Sequence, residues 1–69
     1  MKFLGTREVA AILGVRPFVI NTGVWQGRIP SPQKGPGGNY LWEERDIERA
    51  AWAIGKFSEF QSWRGEQDG

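Results

Sequence analysis

The 69 residues contain no cysteine and no histidine. Without cysteine there is no disulfide, no thiolate zinc site and no Cys nucleophile. Without histidine the commonest general base and the commonest metal ligand are both missing. The chain is therefore expected not to be an enzyme and to hold no metal or cofactor. Long apolar runs are missing too. None approaches the ~20 residues a membrane-spanning helix needs, and Met1-Lys2-Phe3-Leu4-Gly5 is too short for a signal peptide. A cytoplasmic protein with no membrane contact is the expectation.

What is present is aromatic. Four Trp, four Phe and one Tyr supply large buried areas to a chain that has room for one domain and a small core. Charge is unevenly placed. Residues 1–40 carry Lys2, Arg7, Arg16, Arg28 and Lys34 against Glu8 alone, a net of +4. Residues 41–69 carry Arg45, Arg49, Lys56 and Arg64 against Glu43, Glu44, Asp46, Glu48, Glu59, Glu66 and Asp68, a net of −3, and the chain as a whole is +1. A basic front and an acidic back fit a small nucleic-acid binder; they also fit a solvated surface of mixed sign.

Helical spacing begins at Thr6, placed to cap a helix through its hydroxyl. Val9, Ile12 and Leu13 form a core-facing stripe, Glu8 suits the positive helix end, and Gly14 is the stop. Pro17 opens a second helix at the position where its missing N–H costs nothing. Ile20 and Val24 face the core with Gly23 on the same side, and Gly27 closes the helix. The two helices with their short turn spell a helix-turn-helix. Pro30 to Asn39 is dense in Pro and Gly and reads as a loop, and Tyr40-Leu41-Trp42 is β-prone. With Ile29 and Leu41 in facing strands, that loop is the tip of a hairpin. Glu43 to Ile54 is a third helix, its early acids placed for the dipole and Ile47, Ala50, Ala51 and Ile54 forming its stripe. After Gly55, Phe57, Phe60 and Trp63 share one apolar face, and residues 64–69 are polar and expected to fray.

The residues GTREVAAILGV, then Gly27-Arg28-Ile29-Pro30, then a Gly-rich loop, then Tyr40-Leu41-Trp42-Glu43-Glu44-Arg45-Asp46-Ile47, resemble the MerR-like winged-helix DNA-binding domain across about residues 3–54. The small stand-alone members are the most similar: phage excisionases (recombination directionality factors) and AlpA-type regulators. The resemblance implies a mainly α fold with a small β-hairpin, the winged helix-turn-helix. It also implies an excisionase-like function: cooperative binding to repeated duplex sites, and bending of DNA to direct site-specific recombination. Double-stranded DNA, further copies of the chain and an integrase are the implied partners. An AlpA-type transcriptional regulator, the DNA-binding domain of a phage small terminase subunit, and a protein-interaction adaptor that does not touch DNA are the alternatives.

In such domains the second helix enters the major groove and the wing meets backbone or minor groove. The matching positions here are Arg16, Phe18, Val19, Asn21, Thr22 and Gln26 on the helix, Arg28 just after it, and Lys34 and Tyr40 on the wing. Thr6 and Arg7 open the first helix, whose amides can face a phosphate. Asn21 is suited to an adenine edge, and Phe18 and Val19 either to a thymine methyl or to the core. Where the family has a small polar residue before the proline, this chain has Arg16. Where it has a core aromatic, this chain has Gly23, with Trp25 two residues on as the replacement bulk. Gly23 is expected to make room for Trp25 or Trp42. Tyr40 replaces a wing arginine. The winged helix is assigned to residues 1–56 and a tail to 57–69. Trp52, Phe57, Phe60 and Trp63 exceed what a small monomer needs, and serve either self-association or a tail folded back over the core.

Overall fold

The computed structural model describes residues 3–68, with helix bounds but no side-chain detail for Asp68. The charge of Lys2 and the fraying expected at Gly69 lie outside the described residues. Among those residues the chain is mainly helical, with four helices and one two-stranded antiparallel sheet. The order is α1 (Thr6–Leu13), α2 (Pro17–Trp25), β1 (Gln33–Lys34), β2 (Tyr40–Leu41), α3 (Glu44–Ile54) and α4 (Phe57–Asp68). Helix α1 packs against both α2 and α4, and α3 packs against α4.

The helix ends follow from local chemistry. Gly5, not Thr6, is the N-cap of α1. Its N–H donates to Glu8 Oε1 at 3.0 Å, so Glu8 closes the first turn from inside while also facing the dipole. At the far end Gly14 takes φ 70° and ψ 30°. There the Gly14 N–H reaches the Ala11 carbonyl at 3.2 Å and the Val15 N–H reaches the Ala10 carbonyl at 2.9 Å. This is the left-handed stop that glycine adopts without a Cβ penalty. Helix α3 ends the same way at Gly55, φ 73°, with the Lys56 N–H on the Ala51 carbonyl at 2.8 Å. At its start, Asp46 Oδ2 accepts the Glu43 N–H at 3.0 Å. Glu43 is thus the cap of α3 rather than its first residue.

One core joins the elements: Val9, Ala10 and Leu13 of α1, Ile20 of α2, Ile47, Ala50 and Ala51 of α3, Phe60 of α4, and Ile29 and Trp42 from the segments between helices. Ile12, Val24, Ile54, Phe57 and Trp63 pack partly buried against it. No polar or charged residue is buried among the described residues. Trp42 is wholly buried and sits where the chain start and the hairpin meet. Leu4 and Trp42 exchange two backbone hydrogen bonds, each 2.9 Å. The Trp42 indole Nε1–H donates to Thr6 Oγ1 at 3.1 Å.

Several expectations change. The hairpin register pairs Gln33 with Leu41 and Lys34 with Tyr40, so Ile29 lies before the hairpin and faces no strand. Ile29 instead folds over α2: the Arg28 and Ile29 N–H groups both donate to the Gly23 carbonyl, at 2.9 and 3.0 Å. A Cβ on Gly23 would lie 2.5 Å from Ile29 Cδ1 and 2.9 Å from Cγ1. Gly23 therefore makes room for Ile29, not for Trp25 or Trp42. Residues 64–68 continue α4 as helix instead of fraying. Helix α4 lays Phe60 into the core at 0 % exposure, with Phe57 and Trp63 packed partly buried beside it, so this helix folds back over α1 and α3.

Gly23→Ala gains helix propensity, about 0.5–1 kcal/mol, but forces a methyl into a filled site, which typically costs about 1–3 kcal/mol. The middle of the two ranges gives a net loss of about 1 kcal/mol in urea unfolding, and Gly23→Ala/Ile29→Val, which removes Cδ1 but keeps Cγ1, recovers only part of it. A midpoint raised above wild type by Gly23→Ala alone, the uncompensated propensity gain, refutes the close approach. Truncation after Lys56 removes Phe60, and loss of a single buried Phe side chain already costs about 3–5 kcal/mol. The shortened chain is expected to show no cooperative melt by circular dichroism.

Candidate nucleic-acid interface

Helix α2 reads PFVINTGVW and is apolar on most sides, and the side expected to face the core is the one that packs. Ile20 and Gly23 turn inward, and Val19, Thr22 and Val24 are half-buried. Phe18, Asn21 and Trp25 are left outside. Phe18 is 63 % exposed and Trp25 86 % exposed, which settles Phe18 away from the core and ends the expectation that Trp25 fills the space of a missing core aromatic. Three and seven residues after Phe18, Asn21 and Trp25 fall on its side of a 3.6-residue helix. Trp25 belongs to this outer stripe, and sequence reasoning missed it. The signal was its spacing of seven from Phe18 and four from Asn21.

Arginine brackets the stripe. Arg16 is the N-cap of α2, with extended backbone at φ −80° and ψ 150°, and is exposed. It makes no side-chain cap bond, as an arginine has no acceptor to offer; its guanidinium is free to point into solvent. Beyond the other end, Arg28 Nη2 donates to Gln26 Oε1, and both residues are exposed. Between Glu8 and Glu43 the sequence has no acidic residue and three basic ones, Arg16, Arg28 and Lys34. This continuous segment of one sign contains α2 and the whole hairpin.

On the hairpin, Lys34 and Tyr40 are cross-strand partners. The Lys34 ammonium lies 5.6 Å from the Tyr40 ring centroid, within cation–π range. Tyr40 in turn meets Trp42 edge-to-face, with centroids 6.3 Å apart at 71°. The exposed lysine is thus steered by a half-buried tyrosine that is anchored to the core.

Thr6 has another task. Its hydroxyl is taken by the Trp42 indole, and it is half-buried; the exposed Arg7 beside it stays open to solvent. The tail aromatics divide as well. Trp52, 64 % exposed, stacks on Phe57 at 4.2 Å and 24°. The contact series continues to Phe60 at 5.8 Å and on to the half-buried Trp63 at 6.0 Å. Of the four, Phe60 is core and only Trp52 presents a large open surface.

Comparison with known protein families, with curated proteins and with solved structures finds no match. The site therefore rests on its own geometry. A cleft of about 760 Å³ opens on another part of the molecule, floored by Leu4, Ile12, Trp42, Ile47 and Trp63. Its rim acids are engaged: Glu8 with the Gly5 N–H, Glu43 with Arg45 at 3.4 Å, Glu44 with Arg64 at 3.3 Å. Among the described residues no cluster of acidic side chains is placed to hold a metal ion, and no helix is long and apolar enough to cross a membrane.

Thr6→Val keeps the volume but removes the indole's acceptor. A loss of about 1–3 kcal/mol of stability is expected for a donor left unpaired, against less than about 0.5 kcal/mol for the exposed Arg7→Ala. Equal melting temperatures for the two variants contradict the assignment of the Thr6 hydroxyl to Trp42.

Proposed function

We propose that this chain is a sequence-specific duplex-DNA-binding protein without catalytic activity, and that it uses α2 as its reading helix and the β1–β2 hairpin as a wing. The observation that carries this reading is the acid-free segment from Val9 to Trp42, folded so that Arg16, Asn21, Gln26 and Arg28 all stand on the outside of α2 and its following turn. An α-helix of 10–12 Å diameter fits the major groove. Asn21 offers a bidentate amide to an adenine edge, and Arg16 reaches a guanine edge or a phosphate. Arg28 and Lys34 neutralise backbone phosphates, which positions the protein without reading sequence. The two helices joined by a short turn, followed by a hairpin and a third helix, support the MerR-like winged helix-turn-helix arrangement that the sequence resembles.

Within DNA binding, the excisionase role is the leading one: several weakly bound copies on adjacent sites gain by effective concentration and bend the duplex for an integrase. Three to four basic contacts per copy make a weak single-copy binder, which suits repeated sites. Trp52 on Phe57 is the surface left for contact between copies, since Phe60 is consumed by the core. An AlpA-type regulator or a packaging subunit's DNA-binding domain would use the same face. The adaptor reading draws on the tail aromatics as its working surface, of which Trp52 on Phe57 is the open part, and leaves α2 unused.

Fluorescence anisotropy on duplexes selected by the protein from a randomised pool tests the assignment. Arg16→Ala and Asn21→Ala are expected to lose about 1–3 kcal/mol on the selected site and less elsewhere. Lys34→Ala is expected to weaken all duplexes alike and to reduce the salt slope by about 1. Parental binding by all three variants removes α2 and the hairpin from the interface. No duplex binding even at low salt favours the adaptor.

A further inference from the structure

The outward position of Trp25 was unforeseen, and it has no role in the charge-based account above. Phe18 and Trp25 lie on one face of α2, two turns apart, with Asn21 between them. At 1.5 Å rise per residue their Cα atoms are separated by about 10.5 Å along the axis, and a helix angled into a major groove meets about three successive base pairs over such a length. Their exposures of 63 % and 86 % leave both rings open. Arginines stand before and after the stripe, and no acid interrupts the segment. A surface that is apolar in the middle and positive at both ends matches a duplex groove lined by phosphates with methyl groups on its floor. In the major groove the only methyl group is the thymine C5-methyl, next to the acceptors and donors that Asn reads on adenine.

We propose, on the strength of the DNA-binding reading, that the Phe18–Asn21–Trp25 stripe recognises thymine methyls. Phe18 and Trp25 each cover a C5-methyl at the two ends of about three successive base pairs, and Asn21 takes an adenine edge between them. The ligand class is A·T-rich duplex DNA with thymines at that spacing. A single-strand stacking platform requires a groove that tracks the backbone; this stripe lies on a convex helix, the shape that enters a major groove. A protein partner is disfavoured by the cations at both ends.

The test uses the full chain and duplexes it selects from a randomised pool. These are resynthesised with deoxyuridine in place of thymidine, which deletes only the methyl. Loss of about fourfold in affinity per contacted methyl is expected, equivalent to about 0.8 kcal/mol per buried carbon. Trp25→Ala and Phe18→Ala should each bind the thymidine duplex more weakly and lose one share of the uridine penalty. Both positions are exposed, so melting temperatures should stay near the parent's. Trp25→Phe should retain part of the methyl preference. Equal affinity for thymidine and deoxyuridine duplexes overturns the proposal, as does an undiminished uridine penalty in both alanine variants. Tighter binding to the single strands than to the duplex overturns it in favour of base stacking. Absence of duplex binding altogether overturns the DNA-binding reading beneath it, an outcome distinct from binding without methyl discrimination.

Discussion

The burial of Trp42 is the constraint on which the other placements depend. Its backbone ties the chain start to the end of the hairpin through the paired bonds with Leu4. Its indole N–H has to find an acceptor once buried, and finds it on the first residue of α1. Its ring edge receives Tyr40, which in turn sits beneath Lys34. One residue later, Glu43 caps α3. A single side chain thus fixes the N-terminal segment, the root of the hairpin and the start of the third helix. The hairpin itself has two residues per strand, too few to hold a shape alone.

The second close constraint is the fold-back after α2. Two N–H groups on one carbonyl bring Ile29 over Gly23, and the side chain fills the space a Cβ would need. Glycine in a helix interior is locally unfavourable, and here the buried isoleucine occupies what the missing side chain leaves. The arrangement seals the inner side of α2 with an aliphatic group and leaves its aromatic residues outside. Core construction and surface character are therefore two results of one choice of face.

Features set by neighbouring residues were legible in the sequence. Pro17 at the start of α2, Gly14 as a helix stop, the end of α3 before Gly55 and the Ile47–Ala50–Ala51 stripe all follow from local rules. Features set by distant partners were not. Thr6 looks like a cap until an indole 36 positions away claims its hydroxyl. Ile29 reads as strand because Pro30 follows it, yet its place is decided by the Gly23 carbonyl. The inner side of α2 was legible in Ile20, Gly23 and Val24, but the outward turn of Phe18 and Trp25 was hidden because apolar groups surround the axis. The stripe of Phe57, Phe60 and Trp63 announced an apolar face, but only the packing of α4 on α1 and α3 shows that it turns inward at Phe60. At the site, Arg16, Phe18, Asn21, Gln26 and Arg28 were foreseen and are exposed; Trp25 was not foreseen.

The four tryptophans occupy four different surroundings: Trp25 open to water, Trp42 sealed from it, Trp52 stacked on Phe57, and Trp63 half-covered beside Phe60. Indole emission shifts with the polarity around the ring, so the chain carries its own optical labels. Red-edge emission and quenching by iodide report on the two open indoles, Trp25 on α2 and Trp52 on α3, while the blue edge reports on the joint between Leu4 and the hairpin. With Trp52 replaced by Phe, occupation of the α2 face and loosening of the interior become separable in one unlabelled sample.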